Sequence, residues 1–372
     1  MQSWIKEKLD QIDELFPSER LSASIKRWTD LWNGVKPDRQ PYCLGIATFG
    51  VYDDIDTPCE RLRKTLDEIL LHGVAGDDMV PSVFPGCRQA TIPNMFGARE
   101  IVVGNDRSAE AIVADISDID RLPVPSIGEG TIAFEWLDMQ RYFLEETEGR
   151  LPVHVTDMQG PADVCGNLWG YGSFLSAAYM EPDAYHAIMS KVTDAFIMLW
   201  DAQKTLLGDN FIGTHLFGWS YVPQDAGASI SADSLVMISP DFYDEFYRPY
   251  LEQIGARFGG MSVHSCGDFS AVIPRMLKTP NLKAVNAGQM SINQMVKAGL
   301  DSSVLAIAGM SMTDLSEVSK SIQENSLRAD VTIHGALPVD ESGKARLLEE
   351  WTDMDYEFVK RNRELILEAF CR

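Results

Sequence analysis

The chain has 372 residues and a formal net charge of −23, with 55 acidic side chains against 32 basic ones. Phosphate backbones and anionic membrane surfaces call for a basic protein, so neither nucleic acid nor a membrane is an expected partner. Hydrophobic residues make up 45% of the chain, enough for a large core, and the length exceeds the roughly 250 residues of an ordinary (β/α)8 barrel, which predicts an N-terminal addition or long loops.

Two amphipathic helices are predicted first, over residues 4–16 and 22–32; Ile5, Leu9, Ile12, Leu15 and Phe16 recur at helical spacing. Residues 1–19 are charged and do not resemble a secretory signal, and no apolar run approaches the roughly 20 residues of a membrane span. Six cysteines lie scattered without a close pair, which favours a reducing cytoplasm over a disulfide framework. Residues 42–48 read as a strand, 58–71 as a helix capped by Thr57, and 79–84 as a buried strand ending at Pro85-Gly86. Residues 119–125 read as a Pro-containing connector and 132–148 as a helix stopped by Gly149.

From there the pattern is regular. Strands are predicted at 151–156, 211–217, 261–266, 282–286, 304–308 and 331–334. Helices are predicted at 187–207, 240–253 and 269–278, with further helices between the later strands. Such alternation argues for parallel βαβ units, and their number for a closed barrel. The expected fold is α/β: a (β/α)8 TIM barrel over residues 75–372 with an N-terminal helical extension over residues 1–74.

In a barrel the strand ends converge on one mouth, where sites form. Asp157 and Gln159 follow one strand, His215 lies near the end of the next, Asn286 ends a third and His334 a fourth. Trp219 and Tyr221 occupy a long loop and are candidates to wall a pocket. Ser229 to Ser234, including Asp233, reads as a polar loop. Each has an ordinary use as well: Asp157 and Asp233 as caps, Asn286 in an Asx turn, His215 as a satisfied core histidine, the aromatics as loop packing. The glycines of Gly166-Asn167-Leu168-Trp169-Gly170-Tyr171-Gly172 are not spaced for a dinucleotide, and there is neither a Walker A sequence nor a Gly-x-Ser-x-Gly elbow.

The strongest signal is Val263-His264-Ser265-Cys266-Gly267. On a strand, period-2 alternation puts His264 and Cys266 on one face, an imidazole and a thiol side by side, which is half of a zinc site. Gly267 then lets the chain turn away.

Four segments together resemble the uroporphyrinogen decarboxylase-like superfamily. They are Gln159-Gly160-Pro161 with the stretch to Pro182; Ile230-Ser231-Ala232-Asp233-Ser234; the run from Ile238 through Ser239-Pro240, Glu245-Phe246 and Pro249-Tyr250; and Val263-His264-Ser265-Cys266-Gly267. They cover about residues 150–300 in matching order. True uroporphyrinogen decarboxylases carry an Arg-rich motif near the N-terminus, whereas no Arg or Lys lies between Gln40 and Glu60 here. Decarboxylation of uroporphyrinogen is therefore not expected. The His-x-Cys pair resembles instead the corrinoid-dependent methyltransferase branch. The resemblance implies a zinc-dependent methyltransferase that moves a methyl group between a corrinoid, or a corrinoid protein as partner, and a small molecule. The branch normally completes its metal site with a downstream Cys, and residues 331–338 have none. The site is then His264, Cys266 and His334, or an Asp or Glu serves, or the metal site is lost. Asp157, Asp233 and Asn286 are the expected catalytic or positioning residues, and Gln159, His215, Trp219 and Tyr221 the expected substrate contacts. The alternatives are a metal-independent decarboxylase-like lyase with Asp157 or Asp233 as acid, and a non-catalytic corrinoid or tetrapyrrole binder.

Overall fold

A computed structural model describes residues 1–46, 57–104, 106–213 and 220–370. Its strands in chain order are β1 (Tyr42–Leu44), β2 (Glu100–Val103), β3 (Asp106–Ala109), β4 (Val153–His154), β5 (Phe211–Ile212), β6 (Ala228–Ser231), β7 (Met261–Ser265), β8 (Leu282–Ala287), β9 (Leu305–Ser311) and β10 (Arg328–His334). Six of them form one parallel sheet in the order β1-β10-β9-β8-β7-β6. β4 and β5 form a second parallel pair, and β2 and β3 an antiparallel hairpin. Single parallel bridges add Val83 to Val153, Cys87 to Asp157, and Gln159 to Ser231.

The parallel strands are buried on both faces, as crossover helices require. All five residues of β7 are buried, and Val263, Val285, Ile307 and Ile333 are at most 3% exposed. Each such side chain contributes about 1.5–3 kcal/mol by leaving water. The Pro58–Ala75 helix follows the sequence signals closely. Thr57 accepts from the Glu60 N–H, Glu60 reciprocates, Pro58 begins the first turn, and Gly76 ends the helix at φ 73°. The Ser3–Leu15 and Ser18–Trp32 helices bury Ile5, Leu9, Ile12 and Trp28. The Trp28 indole donates to the Asp78 carbonyl at 2.8 Å, and the fully buried Asp78 carboxylate pairs with Arg27 (3.0 Å) and Arg39 (2.6 Å). The described residues of 1–74 thus supply two helices, a strand within the main sheet and nearly all of a third helix.

Several elements differ from expectation. Residues 229–234 are not a solvated polar loop: Ala228–Ser231 is a buried strand, and a short 3-10 helix, Asp233–Met237, follows. Ser229 and Ser231 hide the alternation because their hydroxyls bond inside the protein, to Ser262 (3.2 Å) and Asp157 (2.7 Å). The connector at 119–125 begins as a helix, Ile116–Arg121, capped by Asp115. The helix expected at 269–278 is α-helical only over Ile273–Met276. The one expected at 240–253 extends to Phe258 and contains a π-helical turn, Tyr243–Tyr247. Pro249, which lacks an N–H, disturbs the ladder there. The Tyr185 hydroxyl takes up the Phe246 carbonyl at 3.0 Å. The strand expected at 42–48 ends at Leu44, with its last two positions outside the described residues. No described helix is long and apolar enough to cross a membrane.

Candidate metal centre at the strand ends

The sheet register assembles the site. Ser231 of β6 lies opposite His264 of β7, and His264 opposite Asn286 of β8. His264 is buried, and its Nδ1 meets the Asn286 Oδ1 at 2.9 Å. An amide oxygen only accepts, so Nδ1 carries the proton and Nε2 presents a lone pair. That Nε2 lies 3.4 Å from the Cys266 Sγ and 3.8 Å from Asp233 Oδ1. The ligand atoms of Asp233, His264 and Cys266 all fall within 4.8 Å of one another. Gly267, at φ 73°, turns the chain away as the sequence suggested, and its N–H donates to the Gln289 side chain at 2.8 Å.

Asp233 is held from two directions. Its Oδ1 accepts the Cys266 N–H at 2.8 Å. Its own N–H and that of Ser234 donate to the two carboxylate oxygens of Asp163, at 2.6 and 2.8 Å. Asp163 is fully buried and comes from the Pro161–Trp169 helix. Gly160 explains the Gln159-Gly160-Pro161 sequence: its N–H donates to the Ser231 carbonyl at 2.6 Å, and a Cβ there would sit 2.7 Å from an Ile230 methyl.

The surroundings are acidic. Burial first, then the Asp233 carboxylate, push the Cys266 thiol up to about 12. Burial pushes Asp163 up to about 7 against the pull of the Ser234 and Asp233 donors. Asp157 is raised as well, by burial, despite the hydrogen bond from Ser231. A cation among these groups reverses that balance, favouring thiolate and carboxylate together. The donor set fits zinc: bonds of about 2.0–2.3 Å in tetrahedral geometry separate ligand atoms by about 3.3–3.8 Å. The observed 3.4 and 3.8 Å lie at or near that range. The Asn286 Nδ2, also buried, has no hydrogen-bond partner among the described residues.

The other sequence candidates are distributed unevenly. Asp157 lies on Ser231, and Gln159 bridges to Ser231 through its backbone. His334 ends β10, three strands from β7 in the sheet, and is not in the group of close ligand atoms. Its ring lies over Gly45 and Gly309, and desolvation lowers its pKa. Tyr221 is half-buried against the core. His215 and Trp219 fall outside the described residues. Asp163 is not among the sequence candidates and carries no sequence signal of its own.

No family model matches the sequence, and neither does any curated protein. Among solved structures, a methyltransferase from Methanosarcina mazei is similar, with a TM-score of 0.64 at 14% identity, over 91% of this chain and 97% of that one. The likeness establishes a shared fold.

Proposed function

We propose that this chain is a cytoplasmic zinc-dependent methyltransferase, moving a methyl group between a corrinoid carried by a partner protein and a small molecule. The observation that carries the reading is the Asp233–His264–Cys266 grouping at the ends of parallel strands. The shared fold with a methyltransferase and the uroporphyrinogen decarboxylase-like sequence segments support it. The scaffold in this reading is a closed (β/α)8 barrel. The bridges at Val83, Cys87 and Gln159, and the bond from the Asp78 N–H to the Tyr42 carbonyl (3.0 Å), support closure between β1 and β6.

Zinc, when bound, supplies a Lewis acid that makes a substrate heteroatom more acidic and holds it as a nucleophile. His264, Cys266 and Asp233 hold the metal, with Asp233 in the place expected of His334. Asn286 fixes the tautomer and tilt of His264. Asp157, kept toward its neutral form by burial and steadied by Ser231, positions the substrate and holds a proton beside it. Gln159 and Tyr221 remain the proposed substrate contacts among the described residues, with His215 and Trp219 in the neighbouring segment.

Elemental analysis of untagged protein, purified without chelator, tests the metal: one zinc per chain is expected. Cys266→Ser and Asp233→Asn should each bind zinc more weakly and carry less than one per chain, and His334→Ala should keep it. Loss on His334→Ala with retention on Asp233→Asn would return the third position to His334. Demethylation of methylcobalamin in the presence of small thiols, followed by its visible spectrum, tests the reaction. If the wild-type chain binds no zinc at micromolar concentration, the metal-free lyase with Asp157 as acid takes its place.

A further inference from the structure

We infer that Asp163 is a positioning residue for the metal centre, acting through the backbone of Asp233; the inference rests on the metal reading given above. A fully buried carboxylate forfeits its hydration and persists only where strong donors replace water. Asp163 has such donors in the consecutive N–H groups of Asp233 and Ser234, one for each oxygen, at 2.6 and 2.8 Å. Two oxygens gripping two successive amides fix both the position and the tilt of the peptide planes around Asp233. The side chain that leaves this clamped Cα is the one whose Oδ1 stands 3.8 Å from His264 Nε2 and 2.8 Å from the Cys266 N–H.

The same segment holds β6 at further points. The Gly160 N–H donates to the Ser231 carbonyl at 2.6 Å, and the Ser231 N–H donates to the Met158 carbonyl at 3.1 Å. Residues 158–163 therefore act as a rail beneath the turn that carries Asp233, and Asp163 is the rail's side-chain contact with the Asp233 and Ser234 amides. An ordinary helix cap would stabilise the Asp233–Met237 turn without regard to what Asp233 binds. A positioning residue has its effect only while Asp233 is there to be positioned.

That difference gives the test. Binding of Co(II), a spectroscopic stand-in for zinc, is measured for the wild-type chain, Asp163→Asn, Asp233→Asn and the double variant. Asparagine has the size of aspartate but offers one acceptor and turns an NH2 toward the second amide. Asp163→Asn should weaken Co(II) binding about 10–100-fold, the range for loss of a supporting contact around a metal. Its d–d absorption should shift toward that of Asp233→Asn while the thiolate charge-transfer band of Cys266 remains. Added to Asp233→Asn, the same change should cost less than about twofold more, because coupled residues are not additive. Losses that multiply, or an Asp163→Asn chain that binds Co(II) within about twofold of wild type, overturn the inference and leave the metal reading standing. A wild-type chain that takes up no Co(II) overturns both. If Asp163→Asn does not fold, replacing the amide between Asp233 and Ser234 by an ester removes one donor and leaves every side chain in place. It should weaken Co(II) binding in the same direction, and unchanged binding again refutes the role.

Discussion

Gly288 lies against two of the candidate metal ligands, and a single methyl group there makes a demanding test. A Cβ at Gly288 would lie 3.1 Å from His264 Cε1, 3.2 Å from the Cys266 Sγ and 3.6 Å from the Cys266 Cα. Comfortable contacts between such atoms begin at about 3.5 Å, so the first two groups must each retreat by about 0.3–0.4 Å or more. Neither is free to do so, because His264 is tied to Asn286 at 2.9 Å and the Cys266 N–H to Asp233 at 2.8 Å. Overpacking of this kind costs about 1–3 kcal/mol. Metal–ligand distances tolerate only about 0.2 Å of error, so Gly288→Ala should also weaken zinc about 10–100-fold, as disturbed supporting contacts do. Urea denaturation reads the first effect and competition with a chromophoric chelator the second. Gly172→Ala is the control: it lies within the Tyr171–Met180 helix with nothing inside 4 Å of the added methyl. It should be neutral or stabilising. A Gly288→Ala chain with stability within about 0.5 kcal/mol of wild type and unchanged zinc affinity would refute this packing constraint.

Two further outcomes are expected. Asn286→Ala removes the acceptor for the His264 Nδ1–H and should weaken zinc by about 10–100-fold, while Asn286→Asp, which keeps an acceptor, should recover most of the loss in the same titration. His154 is buried between Gly213 and Ser82, and burial lowers its pKa to about 4. As the pH falls from about 6.5, the unfolded chain takes up a proton there that the folded chain refuses, so stability declines until the folded value is passed. The full depression corresponds to about 3 kcal/mol. Denaturation of His154→Gln across this pH window should show a flatter slope than wild type, and an identical slope would assign the pH dependence to other groups.

The sequence carries its information where periodicity and caps are intact. The Thr57 cap located the start of the Pro58–Ala75 helix, and β7 to β10 stood out as apolar runs between helical stretches. β6 did not, because Ser229 and Ser231 are polar by type yet buried by virtue of partners that belong to other strands. The same limit applies to the site. His264 and Cys266 are two apart on one strand, so local geometry places them together. Asp233 joins them only through the register of β6 on β7, and Asp163 joins through a helix that packs beneath that turn. Neither relation leaves a local trace in the sequence.

The place of β1 bears on how the chain is made. Its strand partner among the described residues is β10, and the neighbouring Gln40 side chain reaches the Ala329 carbonyl across a separation of 289 residues. β1 therefore leaves the ribosome 289 residues ahead of the strand it pairs with. At synthesis rates of about 5–20 residues per second the wait is roughly 15–60 s. Throughout it Tyr42, Cys43 and Leu44, all buried in the finished protein, have no β10 edge to cover them. A nascent chain of this design exposes an unpaired apolar edge until β10 has emerged, the condition under which partly made domains are prone to aggregate.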